Sequence, residues 1–315
     1  MLPDPLTTQQ PIAIAVTGAT GLIGSAFVDR LRAHGHTVRR FVHSPKDARE
    51  GDVVWDAERS ELPAGALDGV EAVVNLAGAP IAHRWSAERK HQIRDSRVLG
   101  TERLARAIAA MAQKPRVFLS GSAVGYYGDR GDEVLGESST PGDGFLAGVC
   151  VEWERATTPA ADAGVRVVLV RTGVVLSRDG GALAKMLPPF RLGMGGPLGS
   201  GEQWMSWIAI EDHLHAMEHC LFVDGVHGAV NLVAPNPVRN SHFATTLGRV
   251  LSRPALIPVP ELALTLMYGE MARETILASQ RALPDALAAS GFDFQHPTVE
   301  GAIRGVLTAT TSTTY

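Results

Sequence analysis

The sequence predicts an α/β fold in which a doubly wound parallel sheet is joined to a smaller C-terminal α/β region. An apolar strand, a glycine-rich turn, an amphipathic helix and a second strand follow one another within residues 12–44, roughly the 30 residues that a βαβ unit needs. Strand and helix patterns then alternate as far as Arg171, which is typical of a parallel sheet with right-handed crossovers. The chain of 315 residues is long enough for one such domain and a smaller appendage.

The first turn holds three glycines with separate physical roles, Gly18, Gly21 and Gly24. Gly18 lets the chain turn sharply off the first strand, Gly21 lets the backbone approach a pyrophosphate, and Gly24 lets the helix lie close on the sheet. The following helix offers unpaired N–H groups and a partial positive charge to phosphates. The spacing is GxxGxxG, and its place between a strand and an amphipathic helix favours a dinucleotide site over an empty glycine-rich loop.

The end of the second predicted strand indicates which dinucleotide is bound. An NAD site usually places a carboxylate about 20 residues past the glycines, but residues 39–46 contain no acid. The side chains there that could hold a 2′-phosphate are Arg40, His43, Ser44 and Lys46. Since side chains alternate across a sheet, either Arg39 or Arg40 is expected to be a simple exposed strand residue. The cofactor predicted is NADP(H), with NAD the less favoured alternative.

Composition divides the rest of the chain into regions. Alternating elements predict an NADP-binding Rossmann domain over residues 11–180, with its sheet completed by residues 206–235. Residues 181–205 include a stretch dense in Gly and Pro, which predicts a mobile substrate lid. Residues 236–306 are expected to form a small C-terminal domain on the substrate side. Residues 86–113 read as a long helix, in one piece or two.

Charge and composition exclude several classes of protein. A net charge of −4 with mixed signs argues against a nucleic-acid binder. Two cysteines make neither a disulfide framework nor a zinc site and fit a reducing cytosol. No metal site is expected, no apolar run approaches the roughly 20 residues of a membrane span, and residues 1–11 lack the pattern of a signal peptide. We therefore expect a cytoplasmic protein with a small-molecule substrate and neither nucleic acid nor membrane as a partner.

The order of motifs resembles that of the extended short-chain dehydrogenase/reductases, the superfamily of nucleotide-sugar epimerases and dehydratases. Within it the sequence is similar to the YfcH-like epimerase-family proteins, an atypical branch with a small C-terminal domain of unknown role. The likeness runs from about residue 12 to residue 306. The strings that carry it are VTGATGLIG, VVNLAGAPIA, SGSAVGYYGD, RTGVVLSRDGGALAKMLPPFRLGMGGPLGSG, NLVAPNPVRN and SQRALPDALAASGF.

The resemblance implies an NADP(H) site on the glycine turn, with His43 and Ser44 at the 2′-phosphate. It also implies that Ala77 and Gly78 lie against the adenosine side and that Arg171 lies near the nicotinamide. Together with the residue-based reasoning, the residues predicted to contact the cofactor are Gly18, Thr20, Gly21, Leu22, Ile23, Gly24, Arg40, His43, Ser44, Leu76, Ala77, Gly78, Arg97, Ser120 and Arg171.

The superfamily's catalytic set is only partly present. That set is a Ser, a Tyr and a Lys in YxxxK, and an upstream Asn, of which Ser122 matches the serine. If Cys150 stands in the lysine position, Leu146 stands in the tyrosine position, and a shift of one residue offers Phe145 and Val149 instead. Neither register supplies a base. A positioned acid or base is worth about 10²–10⁴ in rate, so the usual epimerase chemistry does not follow from these residues.

Ser122, Cys150 and Tyr127 are the remaining catalytic candidates, and each has a structural alternative. Ser122 could hold a loop, Cys150 could be a small buried filler or a redox-sensitive thiol, and Tyr127 could pack against the sheet edge. Arg97 stands where the upstream asparagine is expected, in the string SRVLGT. It could lower a neighbouring pKa, bind the cofactor or bind an anionic substrate.

Two function classes follow. The first is an NADP(H)-dependent oxidoreductase or epimerase-like enzyme that acts on a small polar substrate such as a sugar nucleotide. The second is a non-catalytic NADPH-binding redox sensor or scaffold. The predicted lid and the retained Ser122 favour the enzyme, whereas the missing Tyr–Lys pair favours the binding protein. Both a monomer and a homodimer are compatible with the sequence.

Overall fold

A computed structural model describes residues 10–308. The prediction that residues 1–11 are not a signal peptide therefore falls mostly outside the described residues. The strands are β1 (Ala13–Thr17), β2 (Thr37–Val42), β3 (Val53–Val54), β4 (Ala72–Asn75), β5 (Val117–Ala123), β6 (Val134–Leu135), β7 (Arg166–Thr172), β8 (Val174–Leu176), β9 (Trp204–Met205), β10 (Trp207–Ala209), β11 (Gly228–Leu232), β12 (Val238–Arg239) and β13 (Arg281–Ala282). The helices are α1 (Leu22–Ala33), α2 (Ala87–Ala110), α3 (Phe145–Arg155), α4 (Thr158–Asp162), α5 (Gly181–Arg191), α6 (Ile210–Phe222), α7 (Asn240–Val250), α8 (Glu261–Tyr268), α9 (Asp285–Ala289) and α10 (Val299–Thr308).

Seven strands form one parallel sheet in the order β11-β7-β5-β4-β1-β2-β3. Strand order reverses at β1, between β4 and β2, and in open α/β sheets ligands bind in the crevice at such a point. The prediction of a doubly wound parallel sheet is confirmed. The long helix after β4 is a single piece, because α2 runs unbroken from the cap that Ser86 gives to the N–H of Arg89.

The two faces of the sheet pack against different helices. On one face, Ile14 and Val16 of β1 join side chains of α1 and α6 in an apolar core. On the other face, Ala15 of β1 and Phe118 of β5 pack with α2 and α4. This alternation along β1 follows from the period of two in a strand. Because β1, β2 and β4 run parallel, the loops that follow them lie along one edge of the sheet.

A second apolar core lies outside the central sheet and corrects the prediction of a lid over residues 181–205. The first eleven of these residues form α5, in spite of Pro188 and Pro189 inside it. Leu183 and Phe190 of α5 are buried against β10, α7 and α10. The segment that follows α5 keeps the irregular backbone that Gly and Pro indicate.

A carboxylate of the C-terminal region caps a helix of the central domain. Glu274 lies in a short π-helical turn, Ala272–Ile276. Its two carboxylate oxygens accept hydrogen bonds from the backbone N–H groups of Phe145, at 3.0 Å, and Leu146, at 2.7 Å. These are the first residues of α3, whose N–H groups have no partner inside the helix.

Candidate functional site

Two of the glycines after β1, Gly18 and Gly24, lie so close to other backbone atoms that any side chain there would collide. Gly18 has φ +67°, and a Cβ on it would lie 2.6 Å from the carbonyl carbon of Leu76. A Cβ on Gly24 would lie 2.1 Å from the carbonyl oxygen of Gly18. Gly24 therefore brings α1 close to the loop itself, a different contact from the one with the sheet that the motif predicts. Gly21 meets only the Gly18 oxygen, at 3.4 Å, so its side is open.

A cavity of about 360 Å³ opens beside these glycines at the edge of β1, β2 and β4. The predicted cofactor residues that line it are Gly18, Thr20, Gly21, His43, Leu76, Ala77 and Gly78. Phe41, Trp55 and Ser96 line it as well, and the sequence did not single them out for this role. Leu22 and Ile23 are half-buried at the start of α1, where Ile23 packs on the apolar core.

A second cavity, of about 520 Å³, lies on the other side of Thr20. Its cationic lining residues are Arg32, Arg40, Lys46 and Arg49, and its acidic ones are Asp29 and Asp47. Arg40 is buried, with Nη1 3.6 Å from Asp52 Oδ2. Arg39 donates to the carbonyls of Ala66 and Asp68. The expectation that one of these two arginines is an exposed strand residue is therefore wrong, because both side chains are taken up by the fold.

The two residues expected at the 2′-phosphate follow β2 directly. The side chain of His43 is 73% exposed, with Nδ1 4.0 Å from Asp56 Oδ1. Ser44 caps a short 3-10 turn, since its Oγ accepts from the N–H of Lys46 at 3.2 Å. His43 faces the first cavity and Lys46 the second, so the polar side chains after β2 border both.

Ser122 is held by a buried ion pair. Its Oγ donates to Glu154 Oε1 at 2.6 Å. The same carboxylate accepts two hydrogen bonds from Arg171, from Nε and Nη2, each at 2.8 Å. Burial by itself lowers the pKa of Arg171, but the hydrogen bonds and charge of Glu154 outweigh it and raise the pKa above its ordinary value. Ser122 is 5% exposed, so its hydroxyl serves the network.

Tyr127 is the second part of this network. Its hydroxyl donates to Asn231 Oδ1 at 2.7 Å and accepts from Arg171 Nη1 at 3.1 Å. Arg171 Nη1 also donates to the carbonyl of Glu137, and its guanidinium lies 3.5 Å from the ring centre of Tyr126. Burial raises the pKa of the fully buried Tyr127. The predictions of a catalytic Tyr127 and of an Arg171 that contacts a cofactor do not fit this arrangement, because the polar atoms of both are already bound.

Cys150 and Ser120 are enclosed as well. Burial raises the pKa of the Cys150 thiol to about 12, and the side chain is buried in α3. A neutral thiol without access to solvent is a poor nucleophile, so the filler interpretation fits and the redox-sensor interpretation does not. Ser120 is completely buried within β5, with one long contact of 3.5 Å from Oγ to the carbonyl of Gly121. A side-chain contact from Ser120 to a cofactor does not fit this burial.

Arg97 differs from Arg171 in that its contacts are with neutral groups. Its Nη1 donates to the carbonyls of Ala79, at 3.1 Å, and Ile93, at 3.0 Å. Its guanidinium lies 5.2 Å from the ring centre of Trp153 and so close to Gly78 that a Cβ there would be 3.0 Å from Cζ. Among residues 10–308 no carboxylate forms an ion pair with Arg97. Burial lowers its pKa.

The sequence did not identify Glu154 and Asn231 as part of the site. Glu154 lies four residues after Cys150, so the helical period places both on one face of α3. Asn231 lies beside Arg171 across the β11–β7 pair, as Ser122 does across β5–β7. The sequence pattern could place Glu154 on the Cys150 face of α3, but its contact with Arg171 depends on the fold, as the position of Asn231 depends on the strand register.

Neither a cluster of metal-ligating side chains nor a membrane-spanning helix occurs within residues 10–308. Within that range no group of three or more His, Cys, Asp or Glu side chains could hold a metal ion. In the same part of the chain, none of the helices has both the length and the apolar character to cross a membrane.

The fold and the turn formed by Gly18, Gly21 and Gly24, the glycine cradle, can be compared with known proteins. Residues 14–232 match the profile of the NAD dependent epimerase/dehydratase family. The chain belongs to this family. Residues 259–306 match a domain of unknown function, DUF1731, which confirms the resemblance to epimerase-family proteins with a small C-terminal domain.

Several relatives align with this chain over more than nine-tenths of its length. The epimerase family protein Mb2239 of Mycobacterium bovis is 46% identical over 292 residues, covering 92% of this chain and 96% of that protein. The human epimerase family protein SDR39U1 is 37% identical over 298 residues, covering 93% and 99%. The crystal structure of human SDR39U1 (isoform 2) with NADPH superimposes with a TM-score of 0.86 at 36% identity, covering 94% of this chain and 99% of that one.

Proposed function

We propose that this member of the epimerase family binds NADP(H) in the cavity at the edge of β1, β2 and β4. The glycine cradle carries this proposal, because Gly18 and Gly24 let the loop pack more closely on β4 and α1 than any Cβ would allow, while Gly21 leaves its side open to the cavity. Helix α1 begins at Leu22 and directs its free N–H groups toward the same loop. The structure of human SDR39U1 with NADPH supports the choice of cofactor.

The preference for the phosphorylated cofactor is attributed to the cations after β2. Arg40 and Lys46 line the second cavity, and His43 lines the first. A 2′-phosphate near them would form charge-assisted hydrogen bonds, which are roughly twice as strong as neutral ones. Asp52 neutralises part of the Arg40 charge, so Lys46 is expected to contribute at least as much as Arg40.

Calorimetric titration of the full chain with NADPH and NADH tests this assignment. We expect tighter binding of NADPH, and a loss of about 10-fold in its affinity on Lys46→Ala with little change for NADH, because a hydrogen bond to a charged group is worth about 1.5–3 kcal/mol. Arg106→Ala is the matched control, since Arg106 pairs with Glu102 on the exposed face of α2. Equal affinities for NADPH and NADH would contradict the role of these cations.

We further propose an oxidoreductase or epimerase-like enzyme of the cytoplasm, acting on a small polar substrate such as a sugar nucleotide. When bound, the nicotinamide would supply or accept a hydride. The glycine loop would hold the diphosphate, and Ala77 and Gly78 would border the cofactor along β4. The network of Ser122, Glu154 and Arg171 would fix β5, β7 and α3 beside it. In this proposal, residues other than Ser122, Tyr127 and Cys150 transfer the protons.

The second candidate function is an NADPH-binding sensor or scaffold without turnover. The observation that favours it is that the hydroxyls of Ser122 and Tyr127 and the thiol of Cys150 are all buried. A sensor of this kind would respond through cofactor binding, because the Cys150 thiol stays neutral.

Turnover separates the two functions. The chain would be incubated with NADPH or NADP⁺ and a panel of carbonyl compounds and sugar nucleotides. Absorbance at the nicotinamide band reports net hydride transfer, and chromatography of the products reports epimerisation, which leaves the cofactor unchanged. The enzyme predicts cofactor-dependent conversion of at least one compound, whereas the sensor predicts tight binding without conversion. If conversion is found, Ser122→Ala locates the proton-transfer group: activity that survives it supports a group elsewhere, and activity abolished in the folded variant contradicts that placement.

A further inference from the structure

We propose that Arg97 and Arg89 of α2 bind an anionic group of the substrate, a carboxylate or a phosphate, beside the loop that follows β4. The proposal rests on the proposed function, since it assigns the second ligand of the same crevice. It adds the chemical class of the group that this ligand presents.

The pairing of cations along α2 is the first observation. Lys90 pairs with Glu270, Arg94 with Glu152 and Asp95, Arg103 with Glu61, and Arg106 with Glu102. Within residues 10–308, Arg89 and Arg97 are the cations of this helix that form no such ion pair. Both instead donate to neutral groups of the loop after β4: Arg97 to the carbonyl of Ala79 and Arg89 to that of Pro80.

The charge of Arg97 is also not balanced by its other neighbours. Burial lowers its pKa, and so does the positive charge of Arg89. The ionisable group of α3 that acts on it is Cys150, whose pKa of about 12 leaves the thiol neutral. A buried charge is unfavourable when no opposite charge compensates it. A ligand that brings a negative charge to this place would remove that cost.

Unused donors point to where the ligand would bind. The Arg89 Nε is buried and has no hydrogen-bond partner. Arg97 uses Nη1 for both of its hydrogen bonds, which leaves the N–H groups of Nε and Nη2 for a ligand out of the five that a guanidinium carries. A planar guanidinium with two adjacent free donors matches a carboxylate or phosphate in a bidentate pair.

The position of Arg97 fits a ligand other than the cofactor diphosphate. The glycine loop and the start of α1 already offer backbone N–H groups to a diphosphate. Arg97 approaches the crevice at Gly78, which is exposed and lines the first cavity. The ring of Trp153 holds the guanidinium from the other side. The cation therefore stands at the wall of the crevice, past the end of β4.

The experiment uses the full chain saturated with NADPH and titrated with malonate and with inorganic phosphate, with uncharged malonamide as the reference probe. Binding is read by calorimetry and by NADPH fluorescence. We expect Arg97→Met and Arg89→Met each to weaken binding of the anionic probes by about 10- to 100-fold, the range for a lost charge-assisted contact. NADPH affinity should change by less than about 3-fold, because the proposal gives these arginines no contact with the cofactor. Arg94→Met, on the same helix but ion-paired, is the matched control, and Arg97→Lys keeps the charge if Arg97→Met unfolds.

The outcomes separate the two sources of the anion. Probe binding that survives Arg94→Met and Arg97→Lys but not Arg97→Met supports the proposal. Malonate that displaces NADPH, together with a 10-fold loss of NADPH affinity in Arg97→Met, overturns it and assigns the arginine to the cofactor diphosphate. Tight NADPH binding with no anion binding also overturns it while leaving the proposed function intact. Absence of NADPH binding by the unaltered chain would refute the proposed function itself.

Discussion

Glu154→Gln breaks the buried pair with Arg171 while it preserves the shape of the side chain. The side chain of Arg171 is 4% exposed and that of Glu154 is 11% exposed. A neutral amide keeps an oxygen for Arg171 but offers no charge, and one of the two hydrogen bonds becomes a contact between donors. Removing one partner of a buried pair typically costs about 3–5 kcal/mol, because it leaves the other charge uncompensated.

Thermal unfolding by circular dichroism measures this loss. One kcal/mol corresponds to about 2–4 °C in Tm for domains of 150–250 residues, so we expect Tm to fall by about 6–20 °C. Glu152→Gln provides the matched control, since Glu152 lies on the same helix with a side chain 42% exposed and pairs with Arg94. Exposed pairs contribute about 0–1 kcal/mol. If the two variants unfold at the same temperature, the buried pair does not stabilise the fold as the geometry indicates.

Four further perturbations test other parts of the structure. Gly21→Val should leave the chain folded, because only the Gly18 oxygen is near at 3.4 Å, and should abolish NADPH binding in calorimetry; retained tight binding would refute the diphosphate assignment. Gly24→Ala should instead lower stability by about 1–3 kcal/mol in urea titration, since its Cβ would overlap the loop backbone, and an unchanged midpoint would contradict this. Cys150, with its pKa of about 12, should react with iodoacetamide at pH 8 at least about 100-fold more slowly in the native chain than in urea, as mass spectrometry would show. Burial lowers the pKa of His213 to about 3, so the unfolded chain binds the extra proton below pH 6.5. Stability should then fall by up to about 1.4 kcal/mol per pH unit from pH 6.5 towards pH 3, and His213→Gln should flatten this slope.

The parts of the site that a short sequence window contains could be predicted from sequence. Gly18 is needed where the chain leaves β1 with φ +67°, and the glycine turn, α1 and β2 lie within one βαβ unit. The cations after β2 are also local, although the pattern did not show that Arg39 is taken up by the carbonyls of Ala66 and Asp68. These predictions agree with the structure because the residues concerned lie close together in the sequence.

The remaining features depend on contacts between distant segments. Arg171 meets Glu154 across 17 residues, and Tyr127 meets Asn231 across 104, so neither partner is visible from the motif that carries the other. The prolines of α5 indicated an irregular segment, but burial of Phe190 against α7 and α10 outweighs that local signal. Tertiary packing routinely overrides propensity in this way.

Because Glu274 accepts the hydrogen bonds donated by the start of α3, this helix depends on a residue that is synthesised later. A nascent chain that has passed residue 155 contains all of α3 but lacks the acceptor for the N–H groups of Phe145 and Leu146. That acceptor is translated about 120 residues later. The first turn of this helix therefore reaches its final capped state only after Glu274 has been synthesised, and a chain truncated before residue 259 would retain the glycine cradle with α3 uncapped.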